Sequence, residues 1–269
     1  MSITKNINRI GSFTSSEVVA LTTTGKGELG FGAPAITYIK EKNMERRLDM
    51  SLDSEADAKP LTWGKRVEKN VFDLLGMEYI LTSTETDVHP RIDYWAGSKD
   101  GIKYDEGKTV FDIKCPFTRK SFCGLVQPLY DGLTGMDAMN AIRKEHKDGE
   151  KYYLQLVSNS VINNCRFAEL IVYAPYQSEL DLIRLEAQGE DNCMWLAFAS
   201  DDSLPYIRNN GYYKNLNIIR FEVPQADKDM LTECVLKAGK LLIERPIVSV
   251  VIHDQINGVP VVVHDKVAD

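Results

Sequence analysis

Apolar residues recur along this chain at helical spacing in five segments. Apolar positions three and four residues apart share one face of a helix, so each such segment predicts an amphipathic helix. The predicted helices cover residues 34–47, 61–75, 133–147, 150–164 and 225–243. The Ser/Thr-rich start of residues 14–22 predicts a further short helix with a hydroxyl cap, and the polar residues 48–60 predict a loop.

Shorter apolar runs bounded by turn residues predict the strands. These runs are residues 78–83, 91–97, 109–115, 168–175, 179–186, 193–199 and 217–222. Gly107 lies in a turn, which predicts a hairpin of 91–97 with 109–115, and 179–186 is the expected hairpin partner of 168–175. In the tail, Asn257 and Gly258 separate two β-rich runs, which is a strong hairpin signal.

Helices that flank a mixed sheet predict an α/β or α+β fold. The 269 residues suffice for one large domain or two small ones. No apolar run approaches the ~18 residues of a membrane-spanning helix, and the N-terminus lacks a basic stretch followed by a long apolar core. We therefore predict a cytoplasmic protein with no membrane partner.

Cysteine usage and net charge narrow the chemistry. The five cysteines are scattered and none forms a CxxC pair, which is typical of reduced thiols and argues against a zinc or iron–sulfur site. The net charge of −7 counts against a simple basic face for DNA. Acidic sites nevertheless recruit divalent cations, and the local basic clusters "KEKNMERR", "GKRVEK" and "RKEHK" are equally compatible with solvated helix faces.

The segment "TVFDIKCPFT" places two opposite charges inside an apolar run. On a strand, side chains alternate between faces, so Phe111 and Ile113 point one way while Asp112 and Lys114 point the other. The first pair belongs to an apolar core face. The second pair puts a carboxylate and an ammonium group side by side, which is either a structural ion pair or part of a reactive centre.

A second carboxylate precedes this strand in the Gly-flanked turn "GSKDG". If the predicted hairpin forms, Asp100 and Asp112 converge on one side. Two convergent carboxylates and a backbone carbonyl make a hard oxygen site suited to Mg²⁺ or Mn²⁺. A neighbouring lysine can then position or activate a water that attacks a phosphate polarised by the metal. Asp100, Asp112 and Lys114 also form the pattern of the PD-(D/E)XK nucleases, although such a triplet occurs in many sequences.

The surrounding motifs make the pattern more specific. In order, the chain carries "WGKRVEKNV", "HP", "WAGSKDG", "FDIKCP" and "YYLQL", preceded by "RIGSFTSSEV" near the N-terminus. This combination resembles the lambda-type exonucleases, also described as the YqaJ-like viral recombinase family, over roughly residues 9 to 175. One departure is Lys99, which stands where the family usually has the proline of "SPDG".

The resemblance implies a restriction-endonuclease-like PD-(D/E)XK core and a role for each matching residue. Asp100 and Asp112 would be the main metal ligands, together with the backbone carbonyl of Ile113. Lys114 would orient or deprotonate the attacking water. The expected cofactor is Mg²⁺, at a site for two ions in which Mn²⁺ can substitute.

Four further residues match the family at positions far from Asp100 and Asp112 in the sequence. Glu68 would hold a metal-bound water or a second ion, and Gln155 would position the nucleophile or the lysine. Arg9 and Ser16 would grip the 5′-terminal phosphate, since a guanidinium forks onto phosphate oxygens and a serine at a helix start adds a donor. Each of these residues also has an ordinary structural explanation, such as a surface position, a buried amide or a helix cap.

The implied activity is 5′→3′ degradation of one strand of linear double-stranded DNA, which releases 5′-mononucleotides and leaves a 3′ overhang for recombination. The implied partner is a single-strand annealing protein, in a phage or prophage module working in a bacterial cytoplasm. A homo-oligomeric ring is expected, with a trimer as one possibility. We expect residues 1–190 to form the nuclease core with its phosphate-binding N-terminal region. Residues 191–269 would complete the same domain or supply oligomer contacts.

Two alternatives stay open at this point. One is a related nuclease with endonucleolytic action or a different polarity. The other is a catalytically silent DNA-binding scaffold that has kept the fold. Retention of Asp100, Asp112 and Lys114 together argues against the scaffold, because a dead site has no use for converging carboxylates.

Overall fold

A computed structural model describes residues 9–52, 58–81, 86–105 and 107–244. The helices in these ranges are α1 (Ala33–Leu48), α2 (Lys59–Phe72), α3 (Arg119–Tyr130), α4 (Gly135–Glu145), α5 (Gly149–Ile162), α6 (Leu180–Ala187), α7 (Met194–Ala197) and α8 (Gln225–Gly239). The strands are β1 (Phe13–Thr14), β2 (Tyr79–Leu81), β3 (Asp87–His89), β4 (Ile92–Gly97), β5 (Gly101–Lys103), β6 (Thr109–Lys114), β7 (Phe167–Tyr173) and β8 (Leu216–Glu222).

The strands form a five-stranded and a three-stranded sheet. The larger sheet has the order β2-β5-β6-β7-β8, in which β6 and β7 are parallel and the other pairs are antiparallel. The smaller sheet has the order β1-β4-β3, with β1 parallel to β4. The predicted fold class, a central mixed sheet flanked by helices, is confirmed.

The larger sheet separates two apolar cores, and β6 lies between them. Phe111 and Ile113 pack with Trp63 and Val67 of α2 on one face. Val110 belongs to the core on the opposite face, which α3, α4, α5 and α8 cover. The alternation predicted for β6 is therefore confirmed, and both faces of this strand are covered.

The predicted hairpin of 91–97 with 109–115 is wrong. β4 lies between β1 and β3 in the smaller sheet, whereas β6 pairs with β5 and β7. The turn that contains Gly107 joins β5 to β6 instead. β5 has only three residues, so it carries little apolar pattern of its own, and its pairing depends on tertiary contacts.

The predicted strands at 179–186 and 193–199 are also wrong. The first is helix α6, whose buried positions Leu180, Ile183 and Ala187 follow helical spacing, while Leu182 and Leu185 are exposed. The second contains a 3-10 turn and the short helix α7. Short apolar runs do not by themselves distinguish a strand from a buried helix.

Helix α3 has no counterpart in the sequence prediction. Gly124 and Pro128 lie inside it and disfavour helix in a local reading. The Thr118 side chain caps it by accepting from the backbone N–H of Ser121 at 3.1 Å, and Pro128 falls in its last turn.

The other predicted elements are confirmed with shifted ends where the structure describes them, whereas residues 53–57 of the predicted loop and 82–83 of the predicted strand 78–83 lie outside the described residues. Helix α2 ends at Phe72 rather than Leu75, and the segment 14–22 contains the end of β1 and a 3-10 helix at Val18–Thr22 rather than one continuous helix. β8 joins the larger sheet beside β7, and α8 packs against α5. The hairpin predicted around Asn257 lies outside the described residues. Within the described ranges, no helix combines the length and the apolarity needed to cross a membrane.

Candidate active site

A cleft with a volume of about 220 Å³ opens at the carboxyl end of β6. The residues that line it are Arg9, Thr14, Ser15, Ser16, Glu68, Ser98, Asp100, Asp112, Ile113, Lys114 and Gln155. All eight residues proposed from the sequence are in this set, although they come from four separate parts of the chain. The fold therefore brings the proposed site residues together, while their chemical roles stay predictions.

Asp112 is held rigidly at the floor of the cleft. Its side chain is 2% exposed, and Oδ2 lies 2.5 Å from Nζ of Lys114. Its other oxygen, Oδ1, accepts a hydrogen bond from Nε2 of Gln155 at 2.7 Å. Gln155 also accepts from Lys114 through Oε1 at 3.3 Å, so the three side chains form a closed triangle. This triangle fixes the direction in which the carboxylate and the ammonium group face the cleft.

Asp100 reaches the same place by a different route from the one predicted. It lies in the bend directly before β5, and its Oδ2 accepts from the backbone N–H of Ile113 at 2.5 Å. Gly101 permits this approach, because a Cβ there would come within 2.2 Å of the Phe111 ring and 2.4 Å of the Ile80 carbonyl oxygen. The convergence of Asp100 and Asp112 thus results from the β5–β6 hairpin. The proposed ligand role of the Ile113 carbonyl is not tested by this contact, which uses the N–H.

Three carboxyl groups in the cleft influence one another's pKa values. Burial, followed by the proximity of Asp112 and Glu68, raises the pKa of Asp100 to about 8. Burial and then Asp112 raise the pKa of Glu68 to about 6. For Lys114, burial alone favours the neutral form, but the charges of Asp112 and Asp100 outweigh it and raise the pKa. Three carboxyl groups thus share the ammonium group of Lys114, and Arg9 stands at the exposed rim.

This donor set fits a hard divalent cation. Carboxylate oxygens are the ligands that Mg²⁺ prefers. The pKa values of Asp100 and Glu68, raised first by burial and then by neighbouring carboxylates, would fall beside a bound cation. Among the described residues, no three His, Cys, Asp or Glu side chains are grouped closely enough to form a metal site by themselves. Asp100 and Asp112 are the residues that would hold the ion.

Tyr152 is a neighbour of the site that the sequence prediction missed. Nζ of Lys114 lies 5.0 Å from the centroid of its ring, in a cation–π contact. Tyr152 precedes Gln155 by three residues in α5, so both lie on the helix face toward β6. The motif "YYLQL" already contained this spacing and was the available signal.

The N-terminal wall of the cleft is a run of hydroxyl side chains, Thr14, Ser15 and Ser16, here called the hydroxyl segment. Only Ser16 had been proposed for the site. Tyr38 of α1 anchors the segment, since its Oη accepts from the Thr14 backbone N–H at 2.8 Å. Ser16 stands two residues before the 3-10 helix and has one recorded side-chain contact, with Oγ1 of Thr14 at 3.4 Å. Three adjacent hydroxyls in "FTSSE" were the sequence signal for this wall.

Lys99 and His89 make contacts that stabilise the fold near the cleft. Lys99, which replaces the family's turn proline, forms an ion pair with Asp87 of β3 and so ties the bend before β5 to the smaller sheet. The ring of His89 stacks on Trp95, with centroids 5.2 Å apart and planes 3° from parallel. Neither residue lines the cleft.

Comparison with known proteins identifies the fold. No protein-family model matches the chain, and no curated protein matches its sequence. Solved structures do match: the alkaline exonuclease LHK-Exo from Laribacter hongkongensis has a TM-score of 0.53 at 17% identity, over 88% of this chain and 90% of that one. A phage-related exonuclease from Haemophilus somnus 129PT has a TM-score of 0.57 at 13% identity, over 86% of this chain and 92% of that one.

LHK-Exo has also been solved in complex with dAMP. The chain described here therefore has the fold of these exonucleases over most of its length. This fold agrees with the one that the resemblance of the sequence motifs implied.

Proposed function

We propose that this protein is a Mg²⁺-dependent exodeoxyribonuclease that degrades one strand of linear double-stranded DNA from its 5′ end. The observation that carries the proposal is the meeting of Asp100, Asp112, Lys114 and Gln155 in one cleft. The cleft lies in a fold shared with two solved exonucleases. Neither a structural ion pair nor a solvated surface would need a second buried carboxylate beside Asp112.

The contacts of each side chain support a distinct part in hydrolysis. Asp100 and Asp112 would hold a Mg²⁺ ion, which would supply Lewis acidity for the scissile phosphate. Lys114 keeps its proton beside Asp112, so it is suited to orient the attacking water and to stabilise negative charge as it develops. Gln155 holds both groups in register. Glu68, half-buried at the same cleft, is available for a metal-bound water or a second ion.

The opposite wall of the cleft supports attack at a 5′ end. Arg9 and Ser16 stand there, and a guanidinium with a hydroxyl can hold a terminal phosphate. Because Arg9 and Ser16 line the same cleft as Lys114 and Asp112, a terminal phosphate held by the first pair would bring its own strand to the second pair. The product would then be a 5′-mononucleotide, and LHK-Exo, which shares the fold, binds dAMP.

The wider biological setting is part of the same proposal. A 3′ overhang is the substrate of a single-strand annealing protein, so we expect such a partner in phage-type homologous recombination inside a bacterial cell. A ring-shaped homo-oligomer would keep the enzyme on its DNA. Light scattering that shows a stable monomer at working concentration would remove the ring from the proposal.

One experiment tests the activity and its alternatives together. Purified protein with Mg²⁺ is given linear duplex DNA with and without 5′-phosphates, beside a closed circular control. Asp112→Ala and Lys114→Ala are compared with Asp131→Ala, an exposed aspartate outside the cleft. We expect the first two variants to lose activity and the third to keep it.

The outcomes separate the candidate functions. Cutting of the closed circle would replace the exonuclease by an endonuclease. Shortening from 3′ ends would reverse the polarity. Absence of activity on every substrate would favour a DNA-binding scaffold, and full activity in both cleft variants would refute the site.

A further inference from the structure

We propose that Ser158 of α5 is a positioning residue that couples recognition of the terminal phosphate to the cleavage centre. The inference rests on the proposed function, because it concerns how two parts of that cleft are kept in register. Ser158 does not line the cleft itself and would act through Ser15.

Helix α5 presents one buried polar face, made of Gln155, Ser158 and Asn159. Residues three and four apart lie on the same side of a helix. Their side chains are buried, with residue exposures of 8%, 0% and 0%. Each one contacts a different wall of the site: Gln155 contacts β6, Ser158 contacts the hydroxyl segment, and Asn159 donates to the Ser98 carbonyl oxygen in the bend before β5 at 3.3 Å.

A buried chain of hydrogen bonds runs through Ser158. The indole N–H of Trp95 can only donate, and it donates to Oγ of Ser158 at 2.8 Å. Ser158 can therefore donate its own proton to Oγ of Ser15, which lies 2.7 Å away. Ser15 in turn donates to the carbonyl oxygen of Ala96 at 3.5 Å. In this arrangement each hydroxyl proton has an acceptor, so the hydrogen bonds run in one direction, from Trp95 through Ser158 and Ser15 to the Ala96 carbonyl oxygen.

The hydrogen bonds through Ser158 set the distance between the hydroxyl segment and β6. Among the described residues, Ser16 has its side-chain hydrogen bond to Thr14 and none to α5 or β6, so its position follows from its neighbours Ser15 and Thr14. The packing leaves little slack, because a Cβ on Gly97 would come within 2.3 Å of both Ser15 Oγ and Asn159 Oδ1. The same helix that holds Asp112 and Lys114 through Gln155 therefore also sets where a gripped phosphate would lie.

The test compares Ser158→Ala with Ser160→Ala. Ser160 belongs to the same helix, is equally buried, and makes one hydrogen bond, to the Cys165 carbonyl oxygen at 2.8 Å, away from the cleft. The readout is the ratio of kcat/KM on 5′-phosphorylated to 5′-hydroxyl linear duplex. We expect Ser158→Ala to lower this ratio about tenfold or more, because a displacement of about 1 Å can cost that much. Ser160→Ala should lose similar thermal stability and keep the wild-type ratio.

A double-mutant cycle adds a second readout. Because Ser15→Ala and Ser158→Ala remove the same hydrogen bond, their effects on the ratio should be non-additive. Trp95→Phe removes the indole N–H donor together with part of a fully buried ring, but it leaves the Ser15–Ser158 hydrogen bond in place, so it should lower the ratio less than Ser158→Ala. A purely structural role of Ser158 would lower both rates together and leave the ratio unchanged, and that result would overturn the inference.

A binding measurement separates this inference from the proposed function. Affinities for 5′-phosphorylated and 5′-hydroxyl duplex are measured in EDTA, where no cleavage is expected. If wild type is inactive but prefers phosphorylated ends, the nuclease proposal fails while Ser158→Ala still tests the coupling. If wild type cleaves DNA yet shows no phosphate preference in either measurement, the coupling is refuted and the nuclease stands.

Discussion

The central sheet buries charge at two places, and the two places are built differently. At the carboxyl end of β6 lies the cleft cluster, which consists of Glu68, Asp100, Asp112 and Lys114. On the sheet face that carries Phe111 lies the second cluster, which consists of Tyr79, Lys103, Glu169 and Arg220. They occupy adjacent rows of the sheet, since Phe111 pairs with Glu169 and Asp112 with Leu170. The same strands thus support both.

The second cluster is electrically balanced. Glu169 is 1% exposed, and its carboxylate accepts from Tyr79 Oη at 2.8 Å. Nζ of Lys103 and Nη1 of Arg220 lie 3.5 and 3.6 Å from the same carboxylate. Arg220 also pairs with Asp105, so two cations face two carboxylates. Such a network satisfies its own charges and needs no ligand.

The cleft cluster is unbalanced by comparison. Its three carboxyl groups share one ammonium group, and the pKa values of Asp100 and Glu68 are raised in consequence of burial and mutual repulsion. Burying like charges together costs free energy of folding. Clusters of this kind are therefore typical of functional sites. The contrast shows that this sheet can neutralise a buried carboxylate with nearby cations, as it does for Glu169, and that it leaves Asp100 and Glu68 with raised pKa values instead.

The largest expected effect is a loss of nuclease activity when one charge is removed from the cleft cluster. Asp112→Asn keeps the shape of the side chain but removes a charged metal ligand and the ion pair with Lys114. We expect nuclease activity on linear duplex to fall at least about 10³-fold, or about 4 kcal/mol of activation free energy, with the fold preserved by circular dichroism. Activity within tenfold of wild type would contradict the assignment of the cleft.

The matched change in the second cluster is Glu169→Gln. It removes the same charge from an equally buried carboxylate and leaves Lys103 and Arg220 without their shared partner. We expect the free energy of unfolding to fall by about 3 kcal/mol, as for a broken buried ion pair, while activity at a permissive temperature stays close to wild type. Urea denaturation and the duplex assay check the two parts. Loss of activity without loss of stability would show that the second cluster is functional.

Mg²⁺ should distinguish the clusters by stabilising only one of them. An ion that binds the folded state raises the free energy of unfolding, by about 2.7 kcal/mol at about 100 times its Kd. We expect this gain in wild type and Glu169→Gln and its loss in Asp112→Asn, as measured by urea denaturation with and without Mg²⁺. Equal stabilisation of all three proteins would place the ion elsewhere.

The smallest effect concerns pH in the metal-free protein. Between its ordinary pKa of 3.8 and its folded-state value of about 8, Asp100 is protonated only when folded. The unfolded state therefore binds fewer protons, and the free energy of unfolding falls as the pH rises through this window. Glu68 contributes in the same direction only up to about pH 6.

Asp100→Asn cannot ionise, so in EDTA it should lack the part of this slope between pH 6 and 8. We expect its free energy of unfolding to gain about 1–2 kcal/mol relative to wild type over that interval. If the free energy of unfolding changed with pH in the same way in both proteins, Asp100 would not be buried beside Asp112 and Glu68 as the structure has it. An added cation should reverse the gain, since it stabilises the ionised form in wild type.

Several features of the fold followed from local sequence alone. Alternation along residues 109–115 fixed which side chains share a face of β6, because that period is a property of the extended backbone. Helical spacing located α1, α2, α4, α5 and α8 for a similar reason. The motifs around Asp100 and Asp112 identified the candidate site, and all of the proposed residues line one cleft.

Other features depended on contacts between distant parts of the chain. Whether residues 179–186 form a strand or a helix was ambiguous, because an apolar run of eight residues fits both, and the exposure of Leu182 and Leu185 is settled only by packing. Helix α3 forms despite Gly124 and Pro128, since it covers the core with Phe122 and Leu125. Local propensity is overridden at these positions by buried apolar area.

The sequence by itself determined the chemistry of the site: which residue types are present, and that Asp112 and Lys114 point together. Only the tertiary structure decided the partners of those residues. It paired β6 with β5 rather than β4, placed Gln155 and Ser158 on one buried helix face, and gathered three carboxyl groups around Lys114 while balancing Glu169. The physical reason is that the extended backbone alone decides which side chains share a face of a strand. The charge balance around a buried carboxylate depends instead on side chains that are far apart in the sequence.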